Sequence, residues 1–340
     1  MESKNGEKFL VLDLHTHFSE KNVKPMKFWQ RVMQEELDGV AITEHVELNP
    51  RKAFEELNKA KPPEKILIPG MELNTEIGHV LCFGRNASVY DARELMQKGL
   101  SIKKALRIAR ERNLVLALAH PWGYSKDSAG FYCSHGKLLN LVKKEGLGVE
   151  TYNGMLGYLS YYVFDSGLIK VPMKTFDFIE KNRLLKRTPL RRLSSRLKNR
   201  IQKEIEFLIR RCAAAVELGK EAGIVVAGSD AHYPENIGSG ILKLRYDYSE
   251  LSPENVLNAL RNKENVEWTG PKMVKEKEGV YHKVDKTISK KELINGLRYA
   301  SFKALAKKIG LKRIKRALAK QKKKVVEKVR QMREGRRKND

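Results

Sequence analysis

A parallel α/β barrel is the fold this sequence predicts, and three observations predict it. Short apolar runs of three to five residues recur between Phe9 and Ala227, and most lead into a histidine or an acid. The runs are continuously apolar rather than alternating, as strands buried on both faces are. Segments with helical spacing separate them, which is the rhythm of βαβ units. In such barrels the active site gathers at the C-terminal ends of the strands. The polar residues that close the runs are therefore expected to meet.

The elements follow in order. Residues 9–12 form the first strand and lead into His15 and His17. Residues 25–37 have helical spacing (Met26, Trp29, Val32, Met33, Leu37) with Pro25 at the start and Gly39 beyond the end. The second strand, 40–42, runs into Glu44 and His45, and a short helix over 50–60 is broken by Pro62 and Pro63. The third strand, 66–68, leads to Glu72, and His79 lies on the strand that follows. Ser101 is placed to cap a helix that feeds strand 114–118 and His120. Gly148, Val149 and Glu150 open another strand, and 224–227 runs into Asp230 and His232.

Residues 155–188 break this rhythm. They are aromatic-rich and poorly periodic, and read either as an excursion over the barrel mouth or as a helical insertion packed on itself. From Leu190 an apolar ladder (Leu193, Leu197, Ile201, Ile205, Leu208) marks a long amphipathic helix running towards Gly223. Its expected solvent face carries Arg191, Arg192, Arg196, Lys198, Arg200 and Lys203. The barrel is expected over 8–270, with 155–222 as insertion and basic helix. A basic, helical C-terminal extension is expected over 271–340.

Charge separates these parts. The net charge of +26 points to a polyanionic partner. Residues 181–211 carry twelve Lys/Arg against two acids, and 296–340 carry eighteen against three, which leaves the rest of the chain near neutral. RNA or DNA is the expected partner of both runs, bound through phosphates without sequence preference. Three cysteines with no CxxC spacing exclude a disulfide framework and favour a reducing compartment. The opening segment has only a four-residue apolar run before Asp13, so no signal peptide is expected. No stretch approaches the ~20 apolar residues of a membrane span, and neither a membrane partner nor a location other than the cytoplasm is expected.

The strand ends carry the chemistry. His15 and His17, two apart on a strand, point to one side and can chelate one ion. A lone HxH pair is weak, and any one of these histidines alone reads as a satisfied core residue. Together with Glu44-His45, Glu72, His120 and Asp230-Ala231-His232 the pattern is strong, because burying so many ionisable groups without a counter-charge is costly. Imidazole and carboxylate together suit zinc, manganese or iron. His79 is placed to donate to a phosphate or to a leaving oxygen, or to serve the structure. His135 reads as a solvated loop residue, and His282 has no assigned role. The GSG at 238–240 lacks the rest of a dinucleotide fingerprint, and there is no phosphate-binding P-loop sequence.

The motifs DLHTH, TEH, GMELN, GHVLCFG, AHPWG, VETYN and GSDAH, in that order over residues 9–240, resemble those of the PHP (polymerase and histidinol phosphatase) superfamily. That resemblance implies a distorted (β/α)7 TIM-like barrel holding two or three divalent ions (Mn, Zn, Fe or Mg) and hydrolysing a phosphoester. It implies that His15, His17, Glu72 and Asp230 hold one ion, with Glu72 bridging to a second bound by His120. Asn153 or Glu150 would complete the second site, with Glu150 also a candidate catalytic group beside His79. Glu20, His45 and His232 would hold the third. Many relatives carry an aspartate where Glu20 aligns, and TDH in place of TEH. Clustered divalent ions activate water and neutralise phosphoryl charge, so a metal-dependent phosphoesterase acting on a phosphorylated substrate is the leading expectation. A nucleic-acid-binding protein using the barrel as a scaffold is the alternative. An amidohydrolase-type C–N hydrolase ranks below both.

Overall fold

The computed structural model describes residues 8–21, 23–123, 126–160, 170–182, 185, 189–267, 273–276 and 279–282. The chain divides into two units, Met1–Thr287 and Ile288–Asp340. The second, with the basic segment 296–340, lies outside the described residues.

Strands β1 (Phe9–Thr16), β2 (Gly39–Ile42), β3 (Ile66–Thr75), β4 (Gly78–Phe83), β5 (Val115–Leu118), β6 (Gly148–Asn153), β7 (Val225–Gly228), β8 (Leu242–Arg245) and β9 (Val266–Glu267) form one nine-stranded sheet. Its order is β7-β6-β5-β4-β3-β2-β1-β8-β9. The helices are α1 (Pro25–Gln34), α2 (Pro50–Lys59), α3 (Ile102–Glu111), α4 (His135–Glu145), α5 (Gly154–Ser160), α6 (Lys170–Lys181), α7 (Pro189–Lys220) and α8 (Pro253–Leu260). The fold is α/β, with a nearly closed, barrel-shaped sheet.

The sheet is not all parallel, which corrects the expectation. β1, β2 and β3 run parallel, as do β5, β6 and β7, but β4 is antiparallel to both its neighbours. Only Glu76 and Ile77 separate β3 from β4. A parallel return needs a crossover of about a dozen residues, so this short connection forces a hairpin. Gly78, at φ 108°, takes the backbone conformation that closes it. β8 and β9 are further antiparallel additions that the sequence reading did not contain.

The edge of β1 away from β2 is divided between two partners. Phe9–Leu12 pair antiparallel with β8. Beyond them the chain following β7 takes over: Asp230 N–H donates to His15 O at 2.8 Å, and His17 N–H donates to Ala231 O at 2.9 Å. A Cβ on Gly228 would lie 2.4 Å from the His15 backbone nitrogen, so only glycine lets β7 run this close to β1. The Asp13 carboxylate bolts this seam, accepting from Ser229 N–H (2.8 Å), Gly238 N–H (3.0 Å) and His15 N–H (3.3 Å).

Alternate residues of the strands fill one interior cluster, including Leu10, Leu12, Leu14, Ile66, Ile68, Leu81 and Phe83, and α8 joins it through Val256 and Leu257. The opposite faces pack under α3 and α4 on one side and under α1 and α2 on the other.

The expected helices formed, with shifted ends. α1 stops at Gln34, because Glu36 takes φ 54° and turns the chain into buried Leu37. Ser101 stands at the start of α3 but makes no side-chain cap; Ile102 N–H donates to Glu76 Oε1 at 3.3 Å instead. His135 opens α4 rather than lying in a loop, and its ring stacks on Trp122. The insertion is helical where described, and α7 packs against both α6 and the barrel: Lys198 binds Asp177 and Glu180, while Ala215 and Leu218 are buried. Within 271–340, expected to be helical, Met273–Glu276 (β10) and Gly279–His282 (β11) pair instead as an antiparallel hairpin.

Candidate metal centre

Glu72 is the hub of the barrel mouth. It shares the parity of Ile66 and Ile68 on β3, so it faces the interior at the end where the strand leaves the core. His79 does the same on β4, in step with Leu81 and Phe83. His15 and His120 need more than parity. His15 alternates with the inward Leu14, and a register shift between Asp13 and Thr16 re-aims it, as bulges beside active sites do. His120 follows the inward Ala119 and takes φ 28°, while Asp230 takes φ 54°. Left-handed backbone at non-glycine residues is strained and tends to be kept at functional sites.

Five imidazoles converge on the buried Glu72 carboxylate. His45 Nδ1 lies 2.7 Å from Oε2, His79 Nδ1 2.9 Å from Oε1 and His120 Nε2 3.1 Å from Oε1. His15 Nε2 stands 3.6 Å from Oε1 and His17 Nε2 3.7 Å from Oε2. Asp230 Oδ1 faces the same two rings at 3.5 and 3.3 Å. His232 packs on His17 at 4.4 Å between ring centroids, and Glu20 faces both His45 (3.6 Å) and His232 (3.7 Å) from a short turn at Ser19–Lys21.

Three overlapping donor groups result: His15, His17 and Asp230; His17, His45 and His232; and His45, Glu72 and His79. Within each, the ligating atoms lie within 4.8 Å of one another. His17 and His45 each belong to two groups, but a neutral imidazole gives its one lone pair to one ion, so only a carboxylate such as Glu72 could bridge neighbouring ions. His17 Nδ1 and Glu44 Oε1 are buried without a hydrogen-bond partner. An all imidazole–carboxylate donor set of this kind fits divalent metal ions.

Glu150 and Asn153, expected as ligands or as a catalytic group, stand one layer behind. Glu150 Oε1 accepts from His15 Nδ1 at 2.8 Å, Oε2 accepts from His120 N–H, and both oxygens face Asn153 Nδ2. Asn153 Nδ2 also reaches Asp230 Oδ2 at 3.3 Å, and its Oδ1 accepts from Leu156 N–H. The pair holds the ring of His15 and one oxygen of Asp230 by these contacts. Asp13 and Ser128 were not singled out in the sequence, and Glu44 was noted only as the partner of His45 without a role of its own. Glu44 lies 3.6 Å from His17 Nδ1 and holds Phe18 N–H, and Ser128 Oγ lies 3.2 Å from His120 Nδ1. The TEH triplet was the available signal for Glu44.

The protonation pattern shows what the site demands. Burial disfavours charge on His15, His17 and His120, yet the surrounding carboxylates outweigh it and raise all three, His120 to about 10. Burial likewise opposes ionisation of Glu72, Asp230 and Glu44, yet the imidazoles draw them below their ordinary values, Glu44 to about 2. By linkage, the carboxylates stabilise the fold above about pH 4.5 and lose that contribution as pH falls through their folded values. The three histidines contribute fully below 6.5 and lose it as pH rises through their folded values. His232, lowered to about 4 by burial and His17, and Asp13, raised to about 6 by burial, act in opposite directions and offset one another. Chelator-treated protein should therefore have its highest Tm between about pH 4.5 and 6.5. Metal binding should release protons at neutral pH, read by calorimetry in buffers of different ionisation enthalpy. A Tm still rising well above that window, or no buffer dependence, would contradict this account.

Residues 213–265 match a family model described as PHP-associated. Among solved structures the chain is similar to a two-domain protein from Bacteroides vulgatus containing a predicted PHP-like metal-dependent phosphoesterase. The identity is 18%, covering 78% of this chain and 66% of that one, with a TM-score of 0.50. It is also similar to PsfC from Pseudomonas syringae, at 14% identity over 73% of this chain and 87% of that one, with a TM-score of 0.45. No curated protein matches. The chain spans just under two thirds of the Bacteroides protein. The matched segment is described as PHP-associated, and the likeness to the Bacteroides protein is one of fold.

Proposed function

We propose that this protein hydrolyses a phosphoester with two or three divalent ions held at the barrel mouth. One observation carries the reading: Glu72 meets imidazoles from four separate strand ends, and the resulting donor groups overlap. When bound, such ions lower the pKa of water and neutralise charge on a phosphoryl group undergoing in-line displacement. His15, His17, Asp230, His45, His232 and Glu72 would hold them, with Glu20 closing the outer edge. Glu150, Asn153 and Glu44 orient the rings. His79 lies at the mouth, partly exposed, with Nδ1 committed to Glu72. In the neutral ring Nε2 then presents a lone pair to an ion or to water, and it donates to a phosphoryl or leaving-group oxygen only from the doubly protonated ring. Polyanion binding through the basic runs remains part of this proposal, with the substrate a nucleotide, a nucleic-acid end or a small phosphoester.

The test is metal analysis of the purified protein, followed by turnover of nitrophenyl phosphate mono- and diesters after chelation and after restoring Mn²⁺, Zn²⁺, Fe²⁺ or Mg²⁺. Chelation should abolish turnover, and at least one ion should restore it. Full turnover in metal-stripped protein would sink the reading.

A further inference from the structure

The first turns of α7 present three distinct faces. Ser194 and Lys198, one turn apart, are turned to α6: Ser194 Oγ donates to Phe176 O, and Lys198 Nζ holds Asp177 Oδ1 at 2.6 Å and Glu180 Oε2 at 2.9 Å. These are the only acids of α6, and α7 has none before Glu204. Leu193 and Leu197, also one turn apart, are 55% and 42% exposed, and Phe178 on α6 is 61% exposed. Arg192 and Arg196, each one residue before a leucine, are exposed beside that stripe. The hairpin thus shows solvent an apolar stripe bordered by arginines, while its acids are spent internally on Lys198.

We propose that the α6–α7 hairpin docks on an anionic lipid bilayer. A nucleic-acid backbone would satisfy the arginines but leave Leu193, Leu197 and Phe178 against a hydrated polyanion. A second copy of the same face would oppose arginine to arginine, and like charges across an interface are strongly disfavoured. An anionic bilayer accommodates both chemistries: leucine and phenylalanine enter the acyl boundary and the guanidinium groups remain at the phosphates. Among the described residues no helix can cross a membrane, so the contact is peripheral. The absence of a span does not exclude a membrane partner, because a surface contact needs none. The inference is independent of the metal centre.

The test uses the full chain, sedimented with vesicles of phosphatidylcholine alone and of phosphatidylcholine mixed with phosphatidylglycerol. RNA affinity, metal content and molar mass in solution are measured beside it. The protein should partition onto the anionic vesicles and not the neutral ones. Because 296–340 is also basic, the leucines discriminate. Leu193→Ser/Leu197→Ser should lower partitioning by about tenfold or more, with RNA affinity, metal content and molar mass unchanged. Arg192→Gln/Arg196→Gln should lower it too and flatten its salt dependence. Vesicle binding indifferent to the leucine pair would reduce the surface to plain electrostatics and overturn the proposal. A leucine variant that converts a dimer to a monomer, or RNA binding without vesicle binding, would overturn it in favour of a second copy or of nucleic acid.

Discussion

Glu72→Gln is expected to empty the site of metal and to lower turnover by roughly 10²–10³-fold or more, the loss typical of removing one electrostatic stabiliser from a dry site. The substitution keeps shape and removes charge, so the result isolates the carboxylate. Its two oxygens face His15, His17, His45, His79 and His120 at 2.7 to 3.7 Å, and no other described carboxylate touches as many rings. In metal-free protein the same change leaves the protonated imidazoles without their central counter-charge. Breaking a buried pair from one side costs about 3–5 kcal/mol, so the Tm of the chelated variant should fall as well. Metal stoichiometry by elemental analysis and kcat on a phosphodiester check the first claim, and calorimetry checks the second. A variant with wild-type metal content would show that Glu72 is a spectator, and near-wild-type turnover would remove it from the chemistry.

The second large effect lies outside the donor groups. Asp13→Ala should destabilise the fold by about 3–5 kcal/mol, since it orphans two buried N–H groups and one half-buried one, at roughly 1–3 kcal/mol for each buried group before relaxation. Those groups belong to His15, Ser229 and Gly238, so the damage falls on the seam where the chain after β7 meets β1. Asp13→Asn keeps one acceptor oxygen and should lose less. Urea denaturation of both variants measures the difference. A loss below about 1 kcal/mol for the alanine variant would mean that the backbone bonds from Asp230 and His17 hold the seam unaided.

Much of this site was legible in the sequence, because strands buried on both faces announce themselves as short apolar runs and the residues that end them must surface together. His15, His17, His45, Glu72, His79, His120, Asp230 and His232 were all reached that way, and they do meet. The roles of Glu150 and Asn153 are less legible than their position. Glu150 and Asn153 share the polarity and the strand-end position of a ligand, and nothing in a one-dimensional pattern tells the atom that faces an ion from the atom that holds the ligand. Asp13 was passed over for a similar reason: its partners, Ser229 and Gly238, lie more than two hundred residues away.

What the sequence determined by itself was local. Apolar runs, helical ladders and prolines specify where strands and helices form, because those choices depend on neighbours within a few turns. The antiparallel course of β4 could have been read there too, since two residues between strands leave no room for a crossover. Tertiary structure alone decided the rest. It divided the edge of β1 between β8 and the chain after β7, and it placed a register shift at Asp13–Thr16 that turns His15 towards the mouth. It also held His120 and Asp230 in left-handed backbone. Each of these depends on closing a sheet on itself, and that closure exists only when strands far apart in the chain are brought side by side.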